Sequence, residues 1–152
     1  MGYLARREHS QEELRQKLVS KGFPQEIVNI VIADFCDRGL QSDARFAEVF
    51  TRSRLAKGHG AFRIRQELRQ RGIDEGEIPA MGSLDWDGLI ERVYARKFGG
   101  TPPESLRERM ARERFLLGRG FSGDQIRRLF RRLREGGSEV KSDVGFNERN
   151  DG

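Results

Sequence analysis

Arginine dominates the chemistry this sequence can offer. Between residues 52 and 71 the chain places Arg52, Arg54, Lys57, Arg63, Arg65, Arg69 and Arg71, and further on come Arg119, Arg127, Arg128, Arg131 and Arg132. A guanidinium is permanently charged and presents a planar fork of donors, which suits bidentate contact with phosphate or carboxylate. The chain holds 29 Lys+Arg against 24 Asp+Glu, a formal net charge of +5. The excess is uneven: residues 92–134 carry 13 bases and 4 acids, whereas residues 135–152 carry 2 bases and 5 acids. A basic body with an acidic tail points to a polyanionic partner or an acidic protein surface. For any single arginine a solvated helix face is explanation enough. The collective pattern needs more, because few acids are interleaved to neutralise it.

Catalysis has little to work with. His9 and His59 are the only histidines, and neither has a cysteine or carboxylate at metal-ligand spacing, which argues against zinc and against histidine acid–base chemistry. The run Lys57-Gly-His-Gly60 has the look of a phosphate loop, but it follows a helical stretch and lacks the Gly-Lys-Ser/Thr ending, so an interhelix turn is expected there. Asp85 and Asp87 fit the first turn of a helix, where carboxylates complement the dipole. The single cysteine, Cys36, cannot form an internal disulfide and sits in an apolar run, as a small buried hydrophobe in a reducing compartment would. No stretch approaches 18 apolar residues, and the N-terminus has no apolar signal core. The expectation is a cytoplasmic, non-membrane protein with no catalytic residue, metal ligand or cofactor.

The elements that must position the arginines are announced by a repeated phrase. It runs Leu18-Val-Ser-Lys21-Gly22-Phe23, then Leu68-Arg-Gln-Arg71-Gly72-Ile73, then Leu116-Leu-Gly-Arg119-Gly120-Phe121, with the glycines 50 and 48 residues apart. A period of this size marks a repeat architecture whose units cannot bury their apolar faces alone. In each copy a helix ends, a glycine closes it in the left-handed conformation, an apolar residue follows and a new helix begins. Asp74 with Glu77 and Ser122 with Gln125 have the spacing of capping boxes, stapled by Ile73–Ile78 and Phe121–Ile126. The first copy uses Pro24 in the opening turn instead. Further helix starts are expected at Ser10-Gln-Glu-Glu13, Ser42, Asp85 and Thr101-Pro-Pro-Glu104, and helix Pro24–Arg38, apolar nearly all round, is expected to be the most buried element of its repeat. No segment shows period-two alternation. The expected architecture is all-α: three tandem three-helix repeats over 1–39, 40–82 and 83–134, some nine helices in an elongated, curved array, followed by a disordered tail over 135–152.

Helix–turn–helix joints with basic faces invite comparison with sequence-specific DNA-binding regulators. The third helix of the first repeat is too apolar for a groove, its counterpart at Asp74–Met81 is acidic and short, and the one in the third repeat offers arginine with little Asn, Gln or Ser to read base edges. Such arginines position a protein on phosphates without specifying sequence. Arg65 and Arg69, four apart, share one helix face, while Ile64 and Leu68 share another.

With these residues laid out, the chain resembles the RecX family of bacterial RecA regulators. The matching stretches are Leu4-Ala-Arg-Arg-Glu-His-Ser-Gln-Glu-Glu-Leu14 with Lys17-Leu18, Phe46-Ala-Glu-Val-Phe50 with Arg52-Ser-Arg54, and Gly58-His-Gly60. They continue with Arg63-Ile-Arg-Gln-Glu-Leu68-Arg-Gln-Arg-Gly-Ile73, Asp85-Trp86, Lys97-Phe98-Gly99 and Phe115-Leu-Leu-Gly-Arg-Gly-Phe121, spanning about residues 3–134 in family order. The chain begins almost on the first motif, where relatives usually carry a further helical stretch, so either a shortened first helix or a misassigned start codon is expected. The tail after Arg134 matches nothing. The resemblance implies a non-enzymatic negative regulator that lies in the groove of the RecA–single-stranded-DNA filament, inhibiting extension, strand exchange and ATP hydrolysis. It also implies a place in recombination, DNA repair and the SOS response, direct DNA contact without sequence preference, and a monomer.

Overall fold

Each copy of the repeated phrase closes a helix in the same way. The computed structural model describes residues 7–136, and among them seven α-helices and one short 3-10 turn occur, with no strand. The helices are α1 (Gln11–Ser20), α2 (Gln25–Asp37), α3 (Asp43–Ala56), α4 (Ala61–Gln70), α5 (Trp86–Phe98), α6 (Leu106–Gly118) and α7 (Gly123–Arg134), with the 3-10 turn at Glu75–Glu77 between α4 and α5. At the three joints the amide of the apolar residue donates five residues back, Phe23 to Leu18, Ile73 to Leu68 and Phe121 to Leu116, while the glycine amide donates three residues back. This is the Schellman pattern, and it needs a positive φ at the glycine: +94° at Gly22, +79° at Gly72 and +100° at Gly120. Two more joints share it, with Leu40 donating to Phe35 after α2 and His59 to Arg54 after α3.

The capping boxes Ser10/Glu13 and Ser122/Gln125 are both formed, side chain to backbone in each direction. Asp85 accepts from Gly88 N–H and Ser42 from Arg45 N–H, as their positions predict. Several expectations are corrected. Asp74 makes no side-chain cap bond, and the expected helix Asp74–Met81 is only the 3-10 turn Glu75–Glu77, cut short ahead of Pro79. Among the described residues seven α-helices stand where some nine were expected over the chain; the expected first helix of the first repeat lies outside the described residues. Pro24 is the N-cap of α2, one position earlier than the opening turn. Helix α6 starts after Ser105, whose hydroxyl accepts from Glu108 N–H, and Thr101-Pro-Pro lies in the preceding loop. The tail lies outside the described residues from 137 onward.

Contacts divide the chain into two compact units, one of residues up to 52 with 65–80, the other of residues 53–64 with those from 81 onward. In the first, Leu14 of α1 packs on Val28 and Ile32 of α2, flanked by Leu18, Phe35 and Cys36. Helix α2 is not the buried element its composition predicts. Only Val28 and Ile32 are buried, while Ile27 is 50% and Ile30 is 69% exposed, because α2 is covered on one side only. Cys36 is half-buried and polar in its contacts, donating to Gln41 Oε1 at 3.1 Å. Ser10 ties α1 to the end of α4 by donating to the Arg71 carbonyl at 2.8 Å.

In the second unit Leu89, Ile90, Val93 and Tyr94 of α5 meet Leu116 of α6 and Ile126, Leu129, Phe130 and Leu133 of α7, with Phe121 from the joint. Burial of each such side chain is worth roughly 1.5–3 kcal/mol, so this core carries the unit. The Tyr94 hydroxyl donates to Thr101 carbonyl at 2.6 Å and accepts from Arg112 at 2.7 Å, holding the loop before α6.

Candidate functional site

The Gly58–Gly60 turn docks against the third joint, and the docking brings three predicted basic residues together. Gly60 N–H donates to the Arg119 carbonyl at 2.7 Å and Phe62 N–H to the Gly120 carbonyl at 3.2 Å. In return Arg119 Nη1 donates to the Lys57 carbonyl at 2.9 Å, and Arg63 Nη1 reaches the Gly118 carbonyl at 3.4 Å. Arg119 is only 5% exposed, its guanidinium 4.9 Å from the centre of the Phe115 ring. Its planar fork closes this junction, while Lys57 and Arg63 stand half-buried around it.

Helix α7 supplies the clearest basic face. Its apolar residues, Ile126, Leu129, Phe130 and Leu133, are all buried, so the arginines between them turn outward. Arg128 pairs with Asp87 at 3.3 Å, and Arg132 bridges Asp87 at 3.8 Å and Glu91. Arg127 pairs with Asp124 one turn back. Asp87 thus does more than complement the α5 dipole: it orders two guanidinium groups, a role hidden by 41 residues of sequence separation. Arg131 is exposed on this face. Five arginines meet three acids here, and the surplus is available to an anionic partner.

In the first unit the candidates diverge. Arg71 lies 4.6 Å over the Phe50 ring, donates to the Glu67 carbonyl at 3.1 Å, and stands 3.8 Å from Glu13. Arg69 pairs with Glu75 of the 3-10 turn, and Arg65 lends that carboxylate further positive field. Accordingly Glu75 is held below the usual carboxylate range, first by its hydrogen bond to Arg69. Arg52 is exposed on α3, and Arg54, in the second unit, is half-buried near its end. Within the first unit Arg69 and Arg71 therefore have different partners, Glu75 for one and Phe50 with Glu13 for the other.

His9 is buried: Nδ1 lies 3.1 Å from the Arg7 carbonyl and Nε2 3.1 Å from Lys17 Nζ. Burial, then the charges of Arg7 and Lys17, hold it below its ordinary value. It supports the chain entering α1. No group of three His, Cys, Asp or Glu residues able to hold a metal occurs among the described residues, and no described helix is long and apolar enough to cross a membrane. Arg107 and Arg114, exposed on α6, were absent from the sequence-derived candidates; the helical spacing that separates them from Leu116 marks them.

The fold and these surfaces define an all-helical protein of tandem three-helix repeats with outward arginine rows. Three family models match in succession: the first three-helix domain of RecX over residues 1–35, the second over 42–79 and the third over 87–130. The chain belongs to the RecX family. It is 43% identical over 132 residues to the regulatory protein RecX of Pseudomonas entomophila, covering 85% of each chain. To that of Halorhodospira halophila it is 43% identical over 127 residues, covering 82% of this chain and 79% of the relative. A crystal structure of RecX from Lactobacillus salivarius shares the fold at TM-score 0.67 and 22% identity, over 88% of this chain and 91% of that one.

Proposed function

We propose that this chain is a non-enzymatic negative regulator of RecA, which binds the RecA–single-stranded-DNA filament in the cytoplasm and inhibits its extension, strand exchange and ATP hydrolysis. The observation that carries the reading is the match of all three RecX domains, in order, in a chain more than 40% identical to proteins named as regulators. The surfaces support it. The α7 arginines face outward with no Asn or Ser between them to read base edges, which suits phosphate or acidic-protein contact without sequence preference. The acids at their base keep the guanidinium groups ordered before a partner arrives.

The experiment is RecA ATPase and strand exchange on single-stranded DNA, with the purified chain added up to stoichiometric amounts. Loss of both activities is expected, and unchanged rates at equal concentration overturn the reading. DNA affinity alone is expected to fall steeply with salt and to ignore sequence. Tight binding to one preferred duplex site would favour a sequence-specific operator-binding regulator instead.

A further inference from the structure

We infer that copies of this protein associate head to tail, the exposed face of α2 on one copy packing against the exposed face of α6 on the next. Each helix leaves an apolar stripe uncovered. On α2 it is Ile27 and Ile30, 50% and 69% exposed, extended by Phe23 in the joint, itself 50% exposed. On α6 it is Leu106, Met110 and Leu117, 73%, 52% and 52% exposed. Both follow the i, i+3 or i+4 spacing of a helix made to be covered on a second side, and Leu106 also lines a cleft of about 320 Å³ with Pro102, Pro103 and Phe130.

The charges beside the stripes are opposite. Glu26, Asp34 and Asp37 are exposed on the open side of α2; Arg38 pairs with Asp34 at 3.2 Å, and the three carboxylates outnumber that one base, leaving a net acidic patch in a basic protein. Such a rim repels nucleic acid, so this face is not another phosphate surface. Arg107 and Arg114 are exposed beside the α6 stripe, while Glu108 and Glu113 on the same helix pair with Arg112 and Arg109, so the helix keeps a net basic rim. An acid-rimmed stripe and a base-rimmed stripe complement each other, whereas either one paired with its own copy sets like charges together. The contact is therefore heterologous: every copy keeps one free face of each kind, and association propagates instead of stopping at a dimer. Three apolar side chains on each side fall short of the roughly 800 Å² per partner of a stable complex, so the protein remains the expected monomer at low micromolar concentration. The association becomes populated where copies are crowded. On a polymeric partner this would produce cooperative loading, a consequence that rests on the filament-regulator reading; the association itself does not.

Sedimentation velocity on the purified full chain, from low micromolar to several hundred micromolar, tests it together with Ile30→Asp and Leu106→Asp. For the unsubstituted chain the average mass is expected to rise with concentration past that of a dimer. Each variant alone stays monomeric. An equal mixture of the two variants retains one intact pair of faces and is expected to reach the mass of a dimer and stop. Glu26→Lys and Arg114→Glu repeat the test by charge alone, with circular dichroism verifying that each variant is folded. A chain that stays monomeric throughout, a mixture that stays monomeric, or a Leu106→Asp variant that associates as strongly as the parent would overturn the inference. Failure here leaves the ATPase test of RecA regulation untouched, since no step of it uses RecA.

Discussion

Gly60 and Gly120 meet backbone to backbone. A Cβ on Gly60 would stand 2.4 Å from both the carbonyl carbon and the carbonyl oxygen of Gly120, and one on Gly120 would stand 2.5 Å from Arg63 Cβ. The approach lets the Gly60 amide donate to the Arg119 carbonyl at 2.7 Å, so a short turn and a repeat joint are joined by main-chain bonds as well as by the Arg119 and Arg63 side chains. Gly60→Ala should therefore cost about 1–3 kcal/mol through overpacking against backbone that cannot yield. Calorimetry should show the melting temperature lowered by several degrees, with helicity retained at low temperature. Gly118→Ala is the control: its Cβ would meet nothing within 4 Å, so a neutral or slightly raised melting temperature is expected there. Equal losses at both positions would refute the close-approach account.

Gly72 is constrained differently. Its φ of +79° lies in the left-handed region, and a Cβ there would stand 2.6 Å from Glu12 Cβ on α1. A β-branched residue meets both penalties, so Gly72→Val should destabilise by at least about 1–2 kcal/mol. Glu12→Gly removes the facing Cβ without changing φ, so combining the two substitutions should recover only the steric part of the loss. An unchanged melting temperature for Gly72→Val would dismiss both the cap and the contact.

What the sequence discloses about this protein is its local wiring. The boxes Ser10/Glu13 and Ser122/Gln125 are legible because both partners of each bond lie within three residues. The same pattern at Asp74/Glu77 misleads, since a box needs a helix to cap and the chain there turns into Pro79 after three residues. Gly60 reads as a flexible turn residue, whereas its lack of a Cβ is demanded by backbone 60 residues away. Helix α2 reads as buried because composition counts apolar residues and does not count neighbours. Among the arginines, location on a helix face is legible, but the burial of Arg119 depends on a carbonyl at Lys57 that no periodicity reveals.

Arg119 and Arg131 separate these two kinds of arginine experimentally. Arg119 is buried and bound to the Lys57 carbonyl and the Phe115 ring, so Arg119→Ala leaves a carbonyl without its donor and should cost about 1–3 kcal/mol. Arg119→Lys keeps the charge but not the planar fork, and should restore only part of the loss. Arg131 is exposed, and Arg131→Glu should leave the unfolding free energy within about 0.5 kcal/mol of the parent. Under the proposed RecA regulation the same substitution should raise the concentration needed for half-inhibition of RecA ATPase by about an order of magnitude. A stability loss at Arg131 with unchanged inhibition would reverse these assignments.

The pH dependence of stability should be traced to His9. Burial first, then the charges of Arg7 and Lys17, favour the neutral ring, which outweighs the Arg7 carbonyl and Glu13 acting the other way. The native arrangement fits a neutral imidazole whose Nδ1–H donates to the Arg7 carbonyl while Nε2 accepts from the Lys17 ammonium. With the folded value below the ordinary 6.5, the unfolded chain binds the proton more readily than the native one. The His9 contribution is thus fully present above pH 6.5 and is lost progressively as the pH falls below it. Glu13 adds a second loss at lower pH: burial raises its carboxyl, but the Ser10 amide and the Arg7 and Arg71 charges outweigh this and hold it below 4.5. Urea unfolding at intervals from pH 8 to pH 3 should show stability declining on the acid side of 6.5 in the parent chain, with a further loss below 4.5. His9→Gln, which cannot take up a proton, should flatten that decline while leaving the loss below 4.5 in place; an undiminished decline in the variant would assign the effect to another group.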